Sequence, residues 1–541
     1  MTHFFSAPSS FLFSLIILFL LGCVKPVTQG PLPTMNYNEF PLLEASISEL
    51  QAKMQSGGMT SREITELYLD RILAIDKDGP RLNSVIEINP EALEIADVLD
   101  QERAAGKVRG PMHGIPVMIK DNIDTADKMM TTAGATALIG NYAKEDAFLV
   151  KKLRESGAVL LGKTNLSEWA NFRSFKSSSG WSSRGGQTNN PYVLDRNPCG
   201  SSSGSGAAVS ANLCTVTIGT ETNGSIVCPS NANGVVGIKP TVGLISRSGV
   251  IPISFSQDTA GPMARSVSDA AVFLGTLVGV DDRDSTSKES SGHSHSDYTQ
   301  FLNEDGLRGK RIGIWTSKLS MHYGVKSAMD SILKRMEEAG AELVNLDEIV
   351  PDSGDMGGKS FIRMQYEFKD GLNKYLATAT PSSGVKTLAD IIAYNRGNED
   401  EAMPYFKMGI LELSETRGDL QEDEYLDIRD SITDRARKGI DDTMTTHDLD
   451  AIFAPTGGPA WCSDPVNGDS GVGGSSSPAA WAGYPIITVP AATVHGLPIG
   501  VSFMGGAWSE STLIEIAYGF EQLTQARKVP AFKESLEDAV N

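Results

Sequence analysis

The serines of two glycine-rich turns have the clearest capacity for covalent chemistry in this sequence. The first turn, residues 199–206, reads Cys-Gly-Ser-Ser-Ser-Gly-Ser-Gly, and the second, residues 218–226, reads Ile-Gly-Thr-Glu-Thr-Asn-Gly-Ser-Ile. A serine hydroxyl becomes a nucleophile when an adjacent base takes its proton. Both turns adjoin apolar runs, which argues against a flexible linker, and small residues let backbone N–H groups approach a ligand. The turns therefore predict a site with a serine nucleophile.

A base is needed beside such a serine, and the positions of the seven histidines suggest no Ser-His-Asp arrangement. A lysine can replace histidine when it is neutral, and burial favours the neutral form by lowering its pKa. Three lysines follow apolar, strand-like runs and are candidates for this role: Lys120, Lys163 and Lys239. Chemistry alone does not choose among them, nor does it separate Ser201 from the two serines that follow it.

The elements that must hold these residues are predicted by the apolar runs along the chain. Five short runs read as strands, and they cover residues 115–119, 158–161, 235–238, 451–454 and 486–489. Three longer periodic stretches read as helices, and they cover residues 146–156, 267–277 and 324–339. Strands that alternate with helices predict an α/β fold with a large sheet flanked by helices. In such sheets the ligand site lies beyond the carboxyl ends of strands, where the polar residues stand.

The composition excludes several kinds of partner and site. The 541 residues include 47 Lys+Arg and 67 Asp+Glu, so the net charge is −20, and a nucleic-acid partner is excluded because it requires clustered basic residues. The five cysteines contain no CxxC pair and the histidines contain no HExxH. The sequence therefore predicts no metal site and no disulfide framework. It carries no indication of oligomeric state.

The two serine-rich turns resemble those of the amidase signature family of serine hydrolases. Further blocks extend this resemblance in order from about Ser46 to Phe532, at residues 114–122, 162–165, 237–241, 482–485 and 496–500. The turns look most like those of the peptide amidase branch. The resemblance implies a large mixed β-sheet covered by helices on both faces. It also implies hydrolysis of a carboxamide to a carboxylate and ammonia or an amine through an acyl-enzyme, without a metal or organic cofactor.

The family's Ser–Ser–Lys arrangement carries over to this sequence by position. Ser225 corresponds to the nucleophile, Ser201 to the bridging serine that shuttles the proton, and Lys120 to the general base. The two serines are 24 positions apart, which matches the family. By the same resemblance, the backbone N–H groups of four residues form the oxyanion hole and bind the substrate: Thr222, Asn223, Gly224 and Ser225.

Several neighbouring residues carry further expectations. Asn223 stands where glycine or aspartate is commoner in the family, so we expect its side chain to border the acyl pocket. Cys199 and Cys228 flank the two predicted catalytic serines, and we expect both to be packed thiols. Core packing is favoured over a pocket-lining role for four aromatic residues: Trp169, Phe172, Trp181 and Trp481. The acidic helical stretch at residues 398–442 reads as a peripheral elaboration.

The first residues resemble a bacterial lipoprotein signal. Residues 11–21 are apolar except for Ser14, a run that fits the core of a signal peptide and is too short to span a bilayer. The sequence Leu-Leu-Gly-Cys that ends at Cys23 resembles the lipobox at which cleavage leaves a lipidated cysteine. Because residues 1–10 contain no lysine or arginine, a plain secretory signal and a short uncleaved anchor stay open as alternatives.

This N-terminus predicts both the organisation and the location of the protein. We expect a signal peptide over residues 1–22, a tether over residues 23–40 and an amidase domain over residues 41–535. The protein is then exported to the periplasm or the cell surface. Its one contact with a membrane is a lipid attached to Cys23.

Two other functions account for part of the same pattern. The catalytic subunit of a tRNA-dependent amidotransferase resembles the same family, but the export segment and the net charge of −20 disfavour it. A lipid-anchored solute-binding protein would also be tethered and α/β, but it has no need of Lys120, Ser201 and Ser225 together. The leading prediction is an exported amidase that acts on a small-molecule or peptide amide.

Overall fold

The computed structural model of the chain describes residues 39–350 and 355–537, together with Met1 and Tyr37. The chain separates into Met1–Glu39 and Phe40–Asn541, and the elements below belong to the second unit. Cys23 and nearly all of the predicted signal peptide and tether lie outside the described residues. No described helix has the length and apolar composition needed to cross a membrane.

The strands of the described residues are short, and most of them are buried. They are β1 Val85–Ile88, β2 Pro116–Lys120, β3 Val159–Thr164, β4 Trp181–Ser182, β5 Gly186–Gln187, β6 Val216–Glu221, β7 Val236–Lys239, β8 Thr259–Ala264, β9 Arg311–Trp315, β10 Glu342–Leu346, β11 Ala451–Pro455, β12 Ile486–Val494 and β13 Leu497–Met504.

The α-helices of the described residues fall between these strands and on both sides of them in sequence. They are α1 Ile47–Gln55, α2 Ser61–Arg71, α3 Ala92–Ala104, α4 Phe148–Ser156, α5 Ser203–Ser210, α6 Val227–Ala232, α7 Val267–Leu277, α8 Thr316–Leu319, α9 Tyr323–Glu338, α10 Met356–Thr378, α11 Leu388–Gly397, α12 Glu399–Ala402, α13 Gly409–Glu415, α14 Asp423–His447, α15 Ser477–Ala482 and α16 Glu510–Thr524.

Eleven of the described strands form one mixed sheet in the order β1-β3-β2-β6-β8-β7-β12-β13-β11-β9-β10. Parallel pairing joins β2 to β3 and β6 on one side, and β9 to β10 and β11 on the other. The strands between β6 and β11 pair antiparallel. Central strands such as β2, β6 and β13 are buried along their whole length, which requires cover on both faces. The predicted α/β fold with a large mixed sheet is confirmed.

The predicted elements match the observed ones closely. The five apolar runs correspond to β2, β3, β7, β11 and β12, and the predicted helix at residues 267–277 coincides with α7. The other two predicted helices correspond to α4 and α9. Short aliphatic runs bounded by polar residues or proline suit buried strands, so local pattern and burial agree at these positions.

Helix α14 packs against the sheet, so the prediction of a peripheral elaboration at residues 398–442 is wrong for that helix. Ile432, Ala436 and Ile440 recur at intervals of four and are buried in one cluster with Ile452 and Ile486 of the sheet. Exposed positions of the same helix hold its acidic residues. An amphipathic helix of this kind covers a core with its apolar stripe while its opposite face is charged.

The sheet brings the two serine-rich turns to one place. β2 and β6 are parallel neighbours in which Ile119 pairs with Ile218, so their carboxyl ends lie side by side. Lys120 is the last residue of β2, and Glu221 is the last residue of β6. The first turn leads into α5, and the second leads from β6 into α6. The site therefore forms at the carboxyl ends of two adjacent strands.

Candidate active site

Lys120 is fully buried beside the serine-rich turns. Its Nζ donates hydrogen bonds to Ser201 Oγ at 2.8 Å and to Ser202 Oγ at 3.1 Å. It also donates to the Oγ1 of Thr220 at 2.9 Å and to the carbonyl oxygen of Thr220 at 3.2 Å. Asn122 Nδ2 donates to the same Oγ1 at 3.0 Å, which holds the threonine side chain against the amine. The structure therefore joins Lys120 to the predicted bridging serine.

Burial lowers the pKa of Lys120 to about 7, and the negative charges of Glu221 and Asp258 act in the opposite direction. The cause is desolvation, because an ammonium group that loses its hydration is less stable than the neutral amine. At neutral pH a large fraction of the molecules therefore carries a neutral amine at this position. A neutral amine in contact with a hydroxyl can accept a proton from it.

The two other candidate lysines are buried in different surroundings. Lys163 Nζ donates to the carbonyl of Ile123 at 2.6 Å, and Lys239 Nζ donates to the carbonyl of Tyr484 at 2.5 Å. Within the described chain, neither amine has a hydrogen bond to a serine of the two turns. The geometry therefore favours Lys120 as the candidate base. The chemistry of the three lysines alone did not decide among them.

The three consecutive serines of the first turn have different partners. In the part of the chain that the structure describes, the hydroxyl of Ser201 bonds to the lysine amine alone. Ser202 Oγ donates to the carbonyl of Thr220 at 3.1 Å and accepts from its N–H at 3.2 Å, which joins the turn to β6. Ser203 Oγ donates to the carbonyl four residues earlier at 2.6 Å. Ser201 is thus the one serine of the three whose hydroxyl, among the described residues, hydrogen-bonds only to the lysine amine.

Ser225 lies in the second turn and is 9% exposed. Its carbonyl accepts from the N–H of Ser202 at 3.2 Å, which brings the two turns into contact. The Glu221 carboxylate accepts from the N–H groups of Ile226 at 2.7 Å and Val227 at 3.1 Å, and so holds the exit of the turn. Among the described residues the hydroxyl of Ser225 has no hydrogen-bond partner. The second turn is therefore bonded to the first through Ser202, and the Ser225 hydroxyl is not tied to either turn by a hydrogen bond among these residues.

The predicted oxyanion residues are held by side chains from other parts of the chain. Thr222 Oγ1 donates to Asp258 Oδ1 at 2.5 Å, and the carbonyl of Thr222 accepts from Gln257 Nε2 at 3.1 Å. The Asn223 side chain is bonded to the start of α15, since its Oδ1 accepts from Ser476 Oγ at 2.7 Å. Burial raises the pKa of the Asp258 carboxyl to about 6. Thr222 and Asn223 are therefore both bonded to residues far from them in sequence.

Sequence reasoning did not identify Gln257, Asp258 or Glu221 as site residues. Gln257 and Asp258 contact Thr222 across separations of 35 and 36 positions, and no local motif marks them. Glu221 lies inside the second turn, and this position between motif residues could have marked it as a site residue. The described residues contain no group of His, Cys, Asp and Glu side chains that could hold a metal ion.

Cys199 and Cys228 form a disulfide bond, so the prediction that both are packed thiols is wrong. The two residues are 29 positions apart, and the turns bring their Cα atoms to 5.9 Å. Such proximity arises from the packing of α5 and α6 and is not visible in the spacing of the cysteines. The bond joins the turn that holds Ser201 to α6, the helix that follows the turn with Ser225. The described free cysteines are the buried Cys214 and the exposed Cys462.

The aromatic residues near the turns belong mainly to the core, as expected. Trp169 and Phe172 are buried in a cluster with Phe368 and Leu372 of α10. Trp181 is also buried, and its ring packs edge-on against Phe406 with centroids 4.7 Å apart. Trp481 is partly buried against the cluster that contains α14.

The residues and the fold described above match a known family. A family model described as Amidase matches residues 63–514. The chain belongs to the amidase family. It is therefore an enzyme that hydrolyses amides, and the predicted family resemblance is confirmed. A probable amidase of Arabidopsis thaliana is 42% identical over 503 residues, which cover 91% of this chain and 92% of the relative.

Solved structures of peptide amidase are similar to this amidase over most of their length. The native peptide amidase from Stenotrophomonas maltophilia is 49% identical, has a TM-score of 0.87, and is matched over 91% of this chain and 99% of its own. A complex of peptide amidase with the competitive inhibitor chymostatin is 48% identical, with a TM-score of 0.88, over 91% and 100% of the two chains. A glutamyl-tRNA(Gln) amidotransferase subunit of Halorhodospira halophila is 33% identical over 501 residues, 90% of this chain and 98% of its own.

Proposed function

We propose that this amidase hydrolyses carboxamides with a Ser225–Ser201–Lys120 triad. The observation that carries the proposal is the 2.8 Å hydrogen bond between Lys120 Nζ and Ser201 Oγ at a fully buried position. The lowered pKa of Lys120, about 7, supports its role as a general base. The contact between the backbones of Ser202 and Ser225 supports transfer of a proton between the two turns.

The reaction that follows from this arrangement has two stages. Ser225 Oγ attacks the carboxamide carbon while its proton passes to Ser201 Oγ, and the proton of Ser201 passes to the neutral Lys120 amine. The developing oxyanion is stabilised by backbone N–H groups of residues 222–225. The lysine proton returns by way of Ser201 to the leaving nitrogen, and ammonia or an amine departs. Water then attacks the acyl-enzyme and releases the carboxylate, with the same groups moving its proton.

The substrate class that we propose is a peptide with a C-terminal carboxamide. Support comes from the similarity to peptide amidase structures over the whole catalytic unit, including one that holds a competitive inhibitor. The tRNA-dependent amidotransferase alternative is disfavoured because the similarity to its catalytic subunit is lower and the net charge of −20 does not suit a tRNA partner. A pure solute-binding protein is excluded by membership of an enzyme family.

We also propose that the enzyme acts outside the cytosol, anchored through Cys23. The signal-like N-terminus supports this location, and the Cys199–Cys228 disulfide adds independent support. Disulfides form and persist in oxidising compartments, and they are rare in the cytosol of mesophilic cells. The proposal makes the lipid the only contact of the chain with a membrane.

Substitution of the nucleophile tests the proposed triad. Ser225→Ala is expected to abolish both amide hydrolysis and covalent labelling by a fluorophosphonate probe, because it removes the hydroxyl of the proposed nucleophile. Ser414→Ala is a matched control, since Ser414 is a buried serine on α13 that donates to a carbonyl of its own helix. A folded Ser225→Ala enzyme that still hydrolyses amides would contradict the triad.

The proposed substrate class is tested by measuring ammonia release from a panel of amidated peptides and small amides. Turnover of the small amides alone would reject the proposal that the substrate is a peptide with a C-terminal carboxamide.

A further inference from the structure

We propose that Gln257 is a positioning residue for the oxyanion loop, the segment of residues 222–225. We also propose that α10 holds the side chain of Gln257 in the orientation that this role requires. The inference rests on the proposed function, because it assumes that the N–H groups of residues 222–225 stabilise the transition state. Gln257 precedes β8 and is fully buried. Among the described residues its side chain has no hydrogen bond to the predicted triad, and its influence passes through the backbone of Thr222.

The partners of Gln257 determine which way its amide faces. Its Oε1 accepts hydrogen bonds from Ser360 Oγ at 3.0 Å and from Arg363 Nη2 at 2.7 Å, both on α10. A guanidinium can only donate, so the oxygen of the amide must face α10. The NH₂ group of the amide then faces the opposite way, and Nε2 donates to the carbonyl of Thr222 at 3.1 Å.

Arg363 is in turn held by a second helix. Its Nη1 donates to the carbonyl of Arg429 and to Thr433 Oγ1, each at 2.9 Å, and both residues lie on α14. Arg363 is fully buried, so its donors depend on these protein partners. The chain of contacts therefore runs from α14 through α10 to Gln257 and ends on the oxyanion loop.

Holding the carbonyl of Thr222 sets the direction of a predicted oxyanion donor. The peptide between Thr222 and Asn223 is trans, so its carbonyl and its N–H point in opposite directions in one plane. A hydrogen bond from Gln257 to that carbonyl therefore orients the Asn223 N–H away from Gln257. The bond from Thr222 Oγ1 to Asp258 holds the same residue at a second point. Donors fixed in this way need no reorganisation when negative charge develops on the substrate.

Gln257→Glu is the substitution that tests this role. Glutamate keeps the shape and the two acceptor contacts with α10, but it cannot donate to the carbonyl of Thr222. Removal of one oxyanion donor typically lowers kcat by about 10²–10³-fold, and we expect misorientation of one donor to lower kcat by about 10–100-fold. KM should change little, because the lost interaction is made in the transition state. The inhibition constant of a peptide aldehyde, which forms an oxyanion on the nucleophile, should rise in parallel with the fall in kcat.

The matched control is Gln365→Glu on the same helix. Gln365 is buried, and its Oε1 accepts from Arg417 Nε at 2.7 Å, so the substitution places the same charge beside an arginine without contacting the loop. The control should retain the parent kcat and aldehyde affinity. If Gln257→Glu does not fold, Gln257→Met lacks the donor without adding charge and should show the same fall in kcat.

Two outcomes separate this inference from the function on which it rests. The role of Gln257 would be overturned if a folded Gln257→Glu or Gln257→Met enzyme had the kcat and aldehyde affinity of the parent enzyme. If Ser225→Ala were inactive at the same time, the proposed triad would stand. Activity in Ser225→Ala would overturn the proposed function, and the inference with it. A fall in kcat of the same size in Gln365→Glu would also count against the inference, because the effect would then not be specific to the loop.

Discussion

Lys120 is the general base of the proposed reaction, and its protonation state decides whether it can act as one. Burial favours its neutral amine, while the carboxylates of Glu221 and Asp258 favour its ammonium, and the resulting pKa is about 7. A lysine with its ordinary pKa would be protonated in nearly every molecule at neutral pH and could not act as a base. A lowering of this size is within the range that buried lysines show.

This balance predicts the pH dependence of the enzyme. Below pH 7 Lys120 is protonated and cannot accept the proton of Ser201, so kcat/KM should fall as the pH is lowered through about 7. Above that pH the neutral amine dominates, and activity should reach a plateau. Measurement of kcat/KM from about pH 5 to about pH 9 would show this fall on the acidic side and the plateau above it.

Lys120→Arg should be inactive over that whole range, because guanidinium keeps its proton. Lys163→Arg is a comparison variant at a second buried lysine. If it folds, it should be active and should show the same fall in kcat/KM below about pH 7 as the parent enzyme. A parent enzyme whose activity is flat through pH 7 would contradict the role of Lys120 as the base.

Among the residues of the candidate site, those of the predicted triad were predictable and those that brace the turns were not. Ser201, Ser225 and Lys120 stand in motifs that resemble the family's. Gln257 and Asp258 reach the oxyanion loop from another strand connection, and nothing in their own neighbourhood marks them. Their roles arise from hydrogen bonds, which depend on atomic distances that a sequence does not contain.

At the scale of elements, the disulfide is the feature with the largest expected effect. It links the first turn, which holds Ser201 and lies just before α5, to α6, which begins two residues after Ser225. A cross-link that closes a loop of 29 residues stabilises a fold by about 3–4 kcal/mol in the chain-entropy description. It also limits relative movement of the two turns, which are linked as well by the hydrogen bond between the backbones of Ser202 and Ser225 and by the bonds of Ser202 Oγ to the backbone of Thr220.

Removal of this cross-link should lower both stability and activity. The double variant Cys199→Ala/Cys228→Ala should lose about 3–4 kcal/mol of unfolding free energy in urea denaturation. Its kcat should fall more than its KM rises, because the two serines would be less well aligned. Reduction of the disulfide in the parent enzyme by a dithiol, which is itself oxidised, should have the same effect.

The control variant Cys462→Ala should keep the stability and activity of the parent enzyme. If the double variant also kept the parent's unfolding free energy, the disulfide would not stabilise the fold.

The strands were more predictable than the packing of the helices. β2 and β11 are aliphatic runs of strand length that end in a polar residue or proline, and such runs suit a buried sheet wherever the sheet is completed. Helix α14 has an equally clear apolar stripe, but its acidic residues suggested a peripheral position. The burial of a helix depends on whether another element presents a complementary face, and here the sheet does so through Ile452 and Ile486.

At the scale of the whole molecule, the acidic charge and the N-terminal segment concern where the enzyme acts. The net charge of −20 disfavours a tRNA partner and places no restriction on a small amide or a peptide. The lipobox-like sequence that ends at Cys23 lies outside the described residues, so the lipid anchor stays a prediction from the sequence.

Lipid labelling tests this prediction directly. Cells that express the full chain should incorporate labelled palmitate into the enzyme, and Cys23→Ala should abolish the label while leaving amidase activity in place, because Cys23 is outside the catalytic unit. Equal labelling of the two proteins would contradict attachment at Cys23. Recovery of an unlabelled, secreted enzyme would favour the plain secretory signal instead.

The sequence by itself determined the family, the sheet and the residues able to do chemistry, because those features reside in local patterns and in ordered motifs. Only the tertiary structure decided which lysine is desolvated beside which serine, that Cys199 and Cys228 are bonded, and that Gln257 donates to the carbonyl of Thr222. The deciding contacts join residues 81 positions apart for Lys120 and Ser201 and 106 for Gln257 and Arg363. A pKa, a hydrogen bond and a disulfide are all set by burial and distance, and these exist only after the chain has folded.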